Sequence, residues 1–358
     1  MSHSIAGHLG VLSLERWDLV WRRNQHLASQ LLEQGIVERI TFVEPADWAP
    51  GAIGHPEPGI TTIRPALKIP KRAGGLRLLG STLQRGPLRD VDLMWINDAP
   101  LGRWVARSGQ PALYDVTDDW RSSLLDDRIR RRLIAAEEWL STRARTVVCS
   151  DELASRWKQR YGTNPAVVRN GVDLANWRDV VPVTLTGAGP HVGYVGTLHA
   201  ERLDVDLVLE LAQSSALGTV HLVGPDVLDP ASRSRLDAAG VRRVGVVAHT
   251  EVPAWMRAFD VLICPHLVTA FTLSLDAIKA YEYAAAGRPV VATPTSGFQA
   301  LAVDGWVPTD RSGFVDGVIA ALHDASKPQR LPSSVGWDER ARQFGEVLRT
   351  TSSSRARG

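Results

Sequence analysis

Apolar residues along this chain switch between two spacings. Short continuous runs of buried-strand type cover residues 5–14, Arg39 to Val43, Val91 to Asn97, Pro111 to Val116 and Thr146 to Cys149. Between them lie segments with apolar residues three and four apart. These predict helices over His26 to Glu33, Pro100 to Ser108, Arg128 to Arg143 and Glu152 to Tyr161. Asn24 and Ser150 stand where N-caps belong, and Gly35 and Gly162 where helices stop. Residues 174–190, rich in Pro, Gly and Thr, interrupt the rhythm, which then restarts. Strands are predicted at His191 to Leu198, Thr219 to Val223, Val241 to Val247, Val261 to Cys264 and Val290 to Ala292, and helices at Val205 to Gln213, Pro253 to Phe259 and Asp276 to Ala286. An edge segment at Gly305 to Thr309 and helices at Phe314 to His323 and Trp337 to Leu348 complete the pattern. Strand and helix alternating in this way predict an α/β protein with two doubly wound parallel sheets. The expected domains are 1–173 and 191–330, joined by a linker at 174–190 and followed by a terminal helix within 331–349 and a polar tail at 350–358.

Composition changes this picture little. The chain has 358 residues, 44% of them apolar and 22% charged, and a net charge of +2. That balance argues against a nucleic-acid partner. Two cysteines, each at the end of an apolar run, exclude a disulfide framework and suit a reducing compartment. No run approaches the roughly 20 apolar residues of a spanning helix, and no secretory leader is evident, so a cytoplasmic location is expected. Residues 46–88 are rich in Pro and Gly and resist assignment. Within them Lys68 to Arg77 is basic and apolar, which suggests weak peripheral contact with a membrane. The run Arg130 to Arg132 is expected to face solvent.

Candidate chemistry concentrates in 260–297. Asp276, Lys279 and Glu282 recur every three residues and share a side of the predicted helix. Ligands of open α/β sheets bind beyond strand carboxyl ends, near helix N-termini. This helix therefore reads either as an anion site with a carboxylate one turn in, or as a solvated, salt-bridged face. Glycine at Gly196, followed by Arg202, permits close approach of a phosphate to the backbone. Asp118 and Asp119 follow a predicted strand, where catalytic groups sit in this architecture, although they could also be merely solvated.

Resemblance sharpens these readings. Lys279-x-x-Glu282-Tyr283-Ala-x-Ala-Gly287-Arg-Pro289-Val-Val-Ala resembles the nucleotide-sugar signature of retaining glycosyltransferases of family 4, which have the GT-B fold. Val168-x-Asn170-Gly171-Val172-Asp173 resembles the family's hinge entry, with Asn-Gly expected to form a left-handed turn. Trp17-Asp18-x-Val-Trp21-x-Arg23-x-Gln25-His26-Leu27 and Tyr114-Asp115-x-x-Asp118-Asp119 resemble motifs of one subgroup. The resemblance implies a nucleotide-diphosphate-sugar donor on the second domain and a small-molecule or glycan acceptor on the first, with reaction in the cleft and no cofactor or metal. Glu282 would accept hydrogen bonds from the ribose hydroxyls. Gly196, Thr197, Arg202 and Lys279 would hold the diphosphate, and Val247 would touch the base through its backbone. His266, Thr272, Leu273 and Ser274 would line the donor loop, and Trp17, Asp18 and Arg23 the acceptor side.

One departure stands out. The family's first glutamate, separated from the second by seven residues, is replaced by Ser274. The sugar-facing carboxylate would then come from Asp276, Asp118 or Asp119. A silent nucleotide-sugar-binding protein and a GT-B nucleotide-sugar epimerase remain as alternatives, although the epimerase would need a His and carboxylate constellation that is not evident.

Overall fold

The structure is a computed structural model that describes residues 5–106, 110–301, 306–323, 331 and 333–353. The chain forms two compact units, residues 1–169 with 337–358, and residues 170–336. Residues 174–190, expected as a linker, are therefore part of the second unit. Much of the connection expected at 324–334 lies outside the described residues.

The first unit runs β1 (Ala6–Leu12), α1 (Arg23–Glu33), β2 (Val37–Val43), β3 (Ala52–Gly54), β4 (Ile60–Arg64), α2 (Gly75–Arg85), β5 (Leu93–Ile96), α3 (Ala99–Val105), β6 (Ala112–Val116), α4 (Asp127–Ser141), β7 (Arg145–Val148), α5 (Asp151–Tyr161) and β8 (Ala166–Val167). Its sheet has the order β3-β4-β2-β1-β5-β6-β7-β8. Every pairing is parallel except that of the edge strand β3. The central strands β5 and β6 are buried throughout, as sheets covered on both faces require. Ser150 caps α5 by accepting from the Leu153 amide, as expected. Asn24 is not a cap. Arg22 stands at that place, and Asn24 is buried inside α1, where its Nδ2 donates to Ser13 Oγ and Asn97 Oδ1. The unassigned stretch 46–88 supplies β3, β4 and α2.

The second unit runs β9 (Val192–Val195), α6 (Val205–Gln213), β10 (Val220–Val223), α7 (Pro230–Ala238), β11 (Arg242–Gly245), α8 (Val252–Ala258), β12 (Val261–Cys264), α9 (Ile278–Ala286), β13 (Val290–Ala292), α10 (Ser296–Leu301), β14 (Trp306–Pro308) and α11 (Phe314–His323). Its sheet is parallel, in the order β11-β10-β9-β12-β13-β14. Both units are thus Rossmann-like, the pair that defines the GT-B class. Two sequence expectations fail here. The helix expected from Asp276 begins at Ile278, and Gly287 closes it at φ +68. Asn170 and Gly171 form no left-handed turn, since neither has a positive φ. Instead the Asn170 amide donates to Asp276 Oδ2 at 2.5 Å, and its side chain donates to the Asp276 carbonyl.

The last helix, α12 (Trp337–Ser353), belongs to the first unit and continues past Leu348, so residues 350–353 are helical rather than tail. His26 stacks on Trp337 at 4.8 Å, and Trp95 packs on Phe344 at 4.7 Å.

Candidate functional site

In the second unit the chain leaves β9 for β10 and β11 on one side and later adds β12, β13 and β14 on the other. The crevice of an open sheet lies where that direction reverses, between the carboxyl ends of β9 and β12. These strands pair only at Val192–Val261 and Gly193–Leu262, then diverge. Tyr283 of α9 spans the gap. Its Oη accepts from the Val195 amide at 2.9 Å and donates to the Ile263 carbonyl at 3.1 Å. The loops beyond the two strands are tied together. Leu267 N donates to Arg202 O at 2.7 Å, and Asp204 N to Pro265 O at 2.8 Å.

Gly196 ends β9 at φ +147, and a Cβ there would lie 2.6 Å from Lys279 Nζ. Only glycine lets this ammonium rest against the backbone. Lys279 Nζ donates to Tyr194 Oη at 2.6 Å, lies 3.4 Å from His266 Nε2 and sits 4.0 Å from the centre of the Tyr194 ring. No carboxylate pairs with it among the described residues. Tyr194, whose phenol burial pushes upward, donates to Thr197 O at 3.1 Å. Burial, then the charges of Lys279 and Arg202, hold the His266 imidazole well below its usual range, so it is neutral at physiological pH. With Nε2 facing the ammonium, Nδ1 carries the proton, and that buried atom has no partner among the described residues. Arg202 places its guanidinium 5.1 Å from the Phe271 ring centre.

The start of α9 is open. Ala277 offers no capping side chain, and the N–H groups of Ile278 and Lys279 have no acceptor among the described residues. The Thr197 N–H is also unpaired among them. Free N–H groups at a helix N-terminus beside a lysine attract an anion. Lys279 in the first turn opposes the helix dipole, a local cost that a bound anion would offset. One turn on, Glu282 is half-buried, and its carboxylate accepts no hydrogen bond among the described residues. Burial pushes this carboxyl up to about 7, even though Lys279 pulls it downward. The backbone of Val247, just beyond β11, makes no hydrogen bond among the described residues. Sequence reasoning thus places Gly196, Thr197, Arg202, His266, Lys279 and Glu282 around one crevice. It missed the two tyrosines that shape it, although Tyr283 stands inside the quoted motif and Tyr194 directly precedes Val195-Gly196.

Other expected site residues are committed elsewhere. Thr272, Leu273 and Ser274 form a turn of 3₁₀ helix that consumes its own donors. The Leu273 amide donates to Thr269 O at 2.9 Å, Thr272 Oγ1 to Leu267 O at 2.5 Å, and the fully buried Ser274 hydroxyl to Phe271 O at 2.6 Å. Asp276 does not face a crevice as a free carboxylate. It holds Asn170 and accepts from Tyr281 Oη at 2.9 Å.

Corrections are also needed in the first unit. Arg23, expected at an acceptor surface, is 4% exposed and grips Asp115, with Nε–Oδ2 at 3.0 Å and Nη2–Oδ1 at 3.2 Å. Trp95 Nε1 donates to the same carboxylate at 3.2 Å. Gln25 ties the preceding loop by donating to Arg16 O at 2.9 Å. Trp17 is half-buried, with its ring edge-on to Phe42 at 5.1 Å, and Asp18 is exposed. Asp119 is a structural anion. Arg160, Arg156 and Ser122 donate to it at 2.7–2.9 Å, and despite burial these bonds bring its carboxyl down to about 2. Asp118 stays half-buried beyond β6, accepting from Thr117 Oγ1 at 2.9 Å.

The class defined by the fold is GT-B, and comparison with known proteins points the same way. Residues 189–324 match the family model described as "Glycosyl transferases group 1". TuaH of Bacillus subtilis (strain 168), described as a teichuronic acid biosynthesis glycosyltransferase, is 28% identical over 203 residues, covering 52% of this chain. The chain spans about half the length of that curated relative, 51% of it. Sucrose-phosphate synthase from Thermosynechococcus elongatus shares the fold with a TM-score of 0.67 at 17% identity, over 97% of this chain and 94% of its own. HepE of Anabaena, solved in complex with UDP and glucose, has a TM-score of 0.62 at 16% identity, over 98% of this chain and 95% of its own. No helix among the described residues is long and apolar enough to cross a membrane.

Proposed function

We propose that this protein is a glycosyltransferase that moves a sugar from a nucleoside diphosphate sugar to an acceptor hydroxyl on a small molecule or glycan, with retention and without a resident metal. One observation carries the reading: Lys279, unpaired with any carboxylate among the described residues, lies against Gly196 at the open start of α9, one turn from the unpartnered Glu282. The donor diphosphate would take the N–H groups of Thr197, Ile278 and Lys279 and the charges of Lys279 and Arg202. Glu282 would accept from the ribose hydroxyls, and Val247 would meet the base through its backbone. His266 would donate through Nδ1 to a sugar hydroxyl. HepE has also been crystallised with UDP-glucose, which makes that the first donor to test, and the description of TuaH directs the acceptor search to glycans of the teichuronic acid kind.

In the reaction the acceptor oxygen bonds to the anomeric carbon as the bond from that carbon to the diphosphate oxygen breaks. A donor phosphate oxygen takes the acceptor proton. Negative charge grows on the leaving diphosphate, where the ammonium, the guanidinium and the backbone donors are already oriented, the electrostatic form of catalysis. A metal is not needed for that neutralisation.

Ser274 is buried and Asp276 is committed, so no carboxylate from the donor loop meets the developing positive charge in this reading. Thermal-shift titration with UDP, GDP, dTDP and their sugars identifies the donor, since a ligand at a hundred times its Kd adds about 2.7 kcal/mol. Incubation of the labelled donor with and without acceptor glycans then tests the reaction. Transfer or release of sugar supports the proposal, binding without turnover reduces the protein to a nucleotide-sugar binder, and absence of nucleotide binding overturns the site.

A further inference from the structure

Two basic runs that are far apart in sequence meet on one face of the first unit. A groove of about 560 Å³ lies among α2, α3 and α4, and Lys71, Arg77, Arg103, Arg128, Arg131 and Arg132 line it. All six are exposed, and none pairs with a carboxylate among the described residues. Of the acids nearest in sequence, Asp98 and Asp126 are spent on helix starts, and Asp127, exposed in the first turn of α4, forms no ion pair among the described residues. Asp98 accepts from the Leu101 amide, and Asp126 from the Arg128 amide at 2.8 Å. The groove is rigidly built. Gly80 of α2 packs so close to α3 that a Cβ would lie 2.6 Å from Trp104 Cβ. Arg77 and Arg103 stand 5.9 and 5.7 Å from the Trp104 ring centre.

Six cations in one groove outnumber the nearby carboxylates, Asp98 close to Lys71 and Asp127 beside Arg128, so the face carries net positive charge that attracts an anionic partner. The apolar side chains decide which partner. Trp104 is 39% exposed inside the basic cluster, and Ile69, Leu78 and Ile129, on the segments around it, are 38%, 43% and 51% exposed. A soluble polyanion would use the charges and leave these side chains in water. A bilayer of anionic phospholipid uses both, with basic groups at the phosphates and an amphipathic aromatic at headgroup depth. We propose that this face docks the protein on an anionic phospholipid surface, with a headgroup phosphate in the groove and Trp104 and Leu78 entering the interface. The docking itself does not depend on the donor chemistry of the second unit.

Vesicle co-sedimentation tests the idea with the full chain, on phosphatidylglycerol–phosphatidylcholine vesicles against phosphatidylcholine alone. Binding is expected to the anionic vesicles only. Arg77→Gln, Arg128→Gln and Arg131→Gln combined should weaken it on the order of a hundredfold. Leu78→Ser should weaken it severalfold while leaving retention on a soluble polyphosphate resin unchanged. Unaltered melting temperature and unaltered nucleotide binding would show that both variants remain folded. Equal binding to neutral vesicles, or anionic binding unmoved by the triple variant, overturns the proposal. So does polyphosphate binding as tight as vesicle binding and indifference of both to Leu78→Ser, the result that would identify a soluble polyanion.

Discussion

Arg23 and Lys279 invite comparison. Each is a cation in the first turn of a helix that follows a strand of a parallel sheet, and each lies in a motif that resembles family patterns. Each also opposes its helix dipole. Arg23 finds its compensation inside the protein, in a two-point grip on buried Asp115 that Trp95 reinforces. Lys279 meets a phenol and a neutral imidazole but no carboxylate among the described residues. The two sheets differ in the same way. Where strand order reverses in the first, between β1 and β5, Asn24 Nδ2 donates to Ser13 Oγ and Asn97 Oδ1, and Asn97 Nδ2 donates to Asp115 O, so these side-chain donors have partners within the fold, and Asn24 Oδ1 alone of this cluster is buried without one among the described residues. Where it reverses in the second, among the described residues backbone N–H groups and a carboxylate stand without a hydrogen-bond partner and a cation stands without a carboxylate. A charge paired within the fold contributes to structure, whereas one left unpaired at a cost to the fold marks a place for a ligand.

The comparison breaks most visibly at Arg23. Arg23→Ala leaves Asp115 buried without its partner, and removing one member of such a pair typically costs about 3–5 kcal/mol. Urea unfolding of the first unit should show that loss, while nucleotide binding to the second unit stays unchanged. A loss under about 1 kcal/mol, within the range of exposed pairs, would return Arg23 to the candidate acceptor residues.

Lys279→Ala should do the reverse. Nucleotide affinity should fall about tenfold to a hundredfold, as for loss of a charged hydrogen bond. The unfolding midpoint should hold or rise, because a cation disfavoured by the helix dipole is gone. Calorimetric titration with the donor identified by thermal shift, beside a urea curve, reads both quantities.

A pH series sharpens the contrast at Glu282. Its carboxyl rises from 4.5 to about 7 in the folded protein. Between those values the native state binds more protons than the unfolded chain, so this group makes stability fall as pH rises through the window. Glu282→Gln should flatten that fall and exceed the parent protein in stability above pH 7. Donor affinity in the parent should rise with pH through about 7, as the carboxylate that accepts the ribose hydroxyls forms. A stability profile unaltered by the substitution would mean that the carboxyl is not desolvated.

The smallest effect is expected at Asp18, which is exposed and among the described residues bonds only locally, from the Val20 amide at 2.8 Å and towards Arg22. Asp18→Ala should change stability by less than about 0.5 kcal/mol, so any change in acceptor KM that it causes can be read as a contact with the acceptor.

Much of this was legible in the chain because local rules govern it. Strand runs, Ser150 as a cap, Gly162 and Gly287 as stops, and Gly196 ahead of a loop with Arg202 each depend on neighbours a few residues away. The reading failed where the partner is distant. Asp276 lost its role at the candidate site to Asn170, Asp119 to Arg156 and Arg160, and Arg23 to Asp115. Spacing cannot show whether a charged group already has a partner from another element. The charged stretch at Arg130 to Arg132 divides: Arg131 and Arg132 are exposed as expected and line the groove beside α3, whereas Arg130 is half-buried and donates to Ser123 O and Leu125 O.

The sequence by itself determined two α/β units, the order of their elements and the residue types available at each loop, because backbone propensity and hydrophobic period act over a few residues. The tertiary structure decided which charges are neutralised and which are left for something outside the chain. Electrostatic energy depends on distance and burial, and both arise only when segments remote in sequence are brought together.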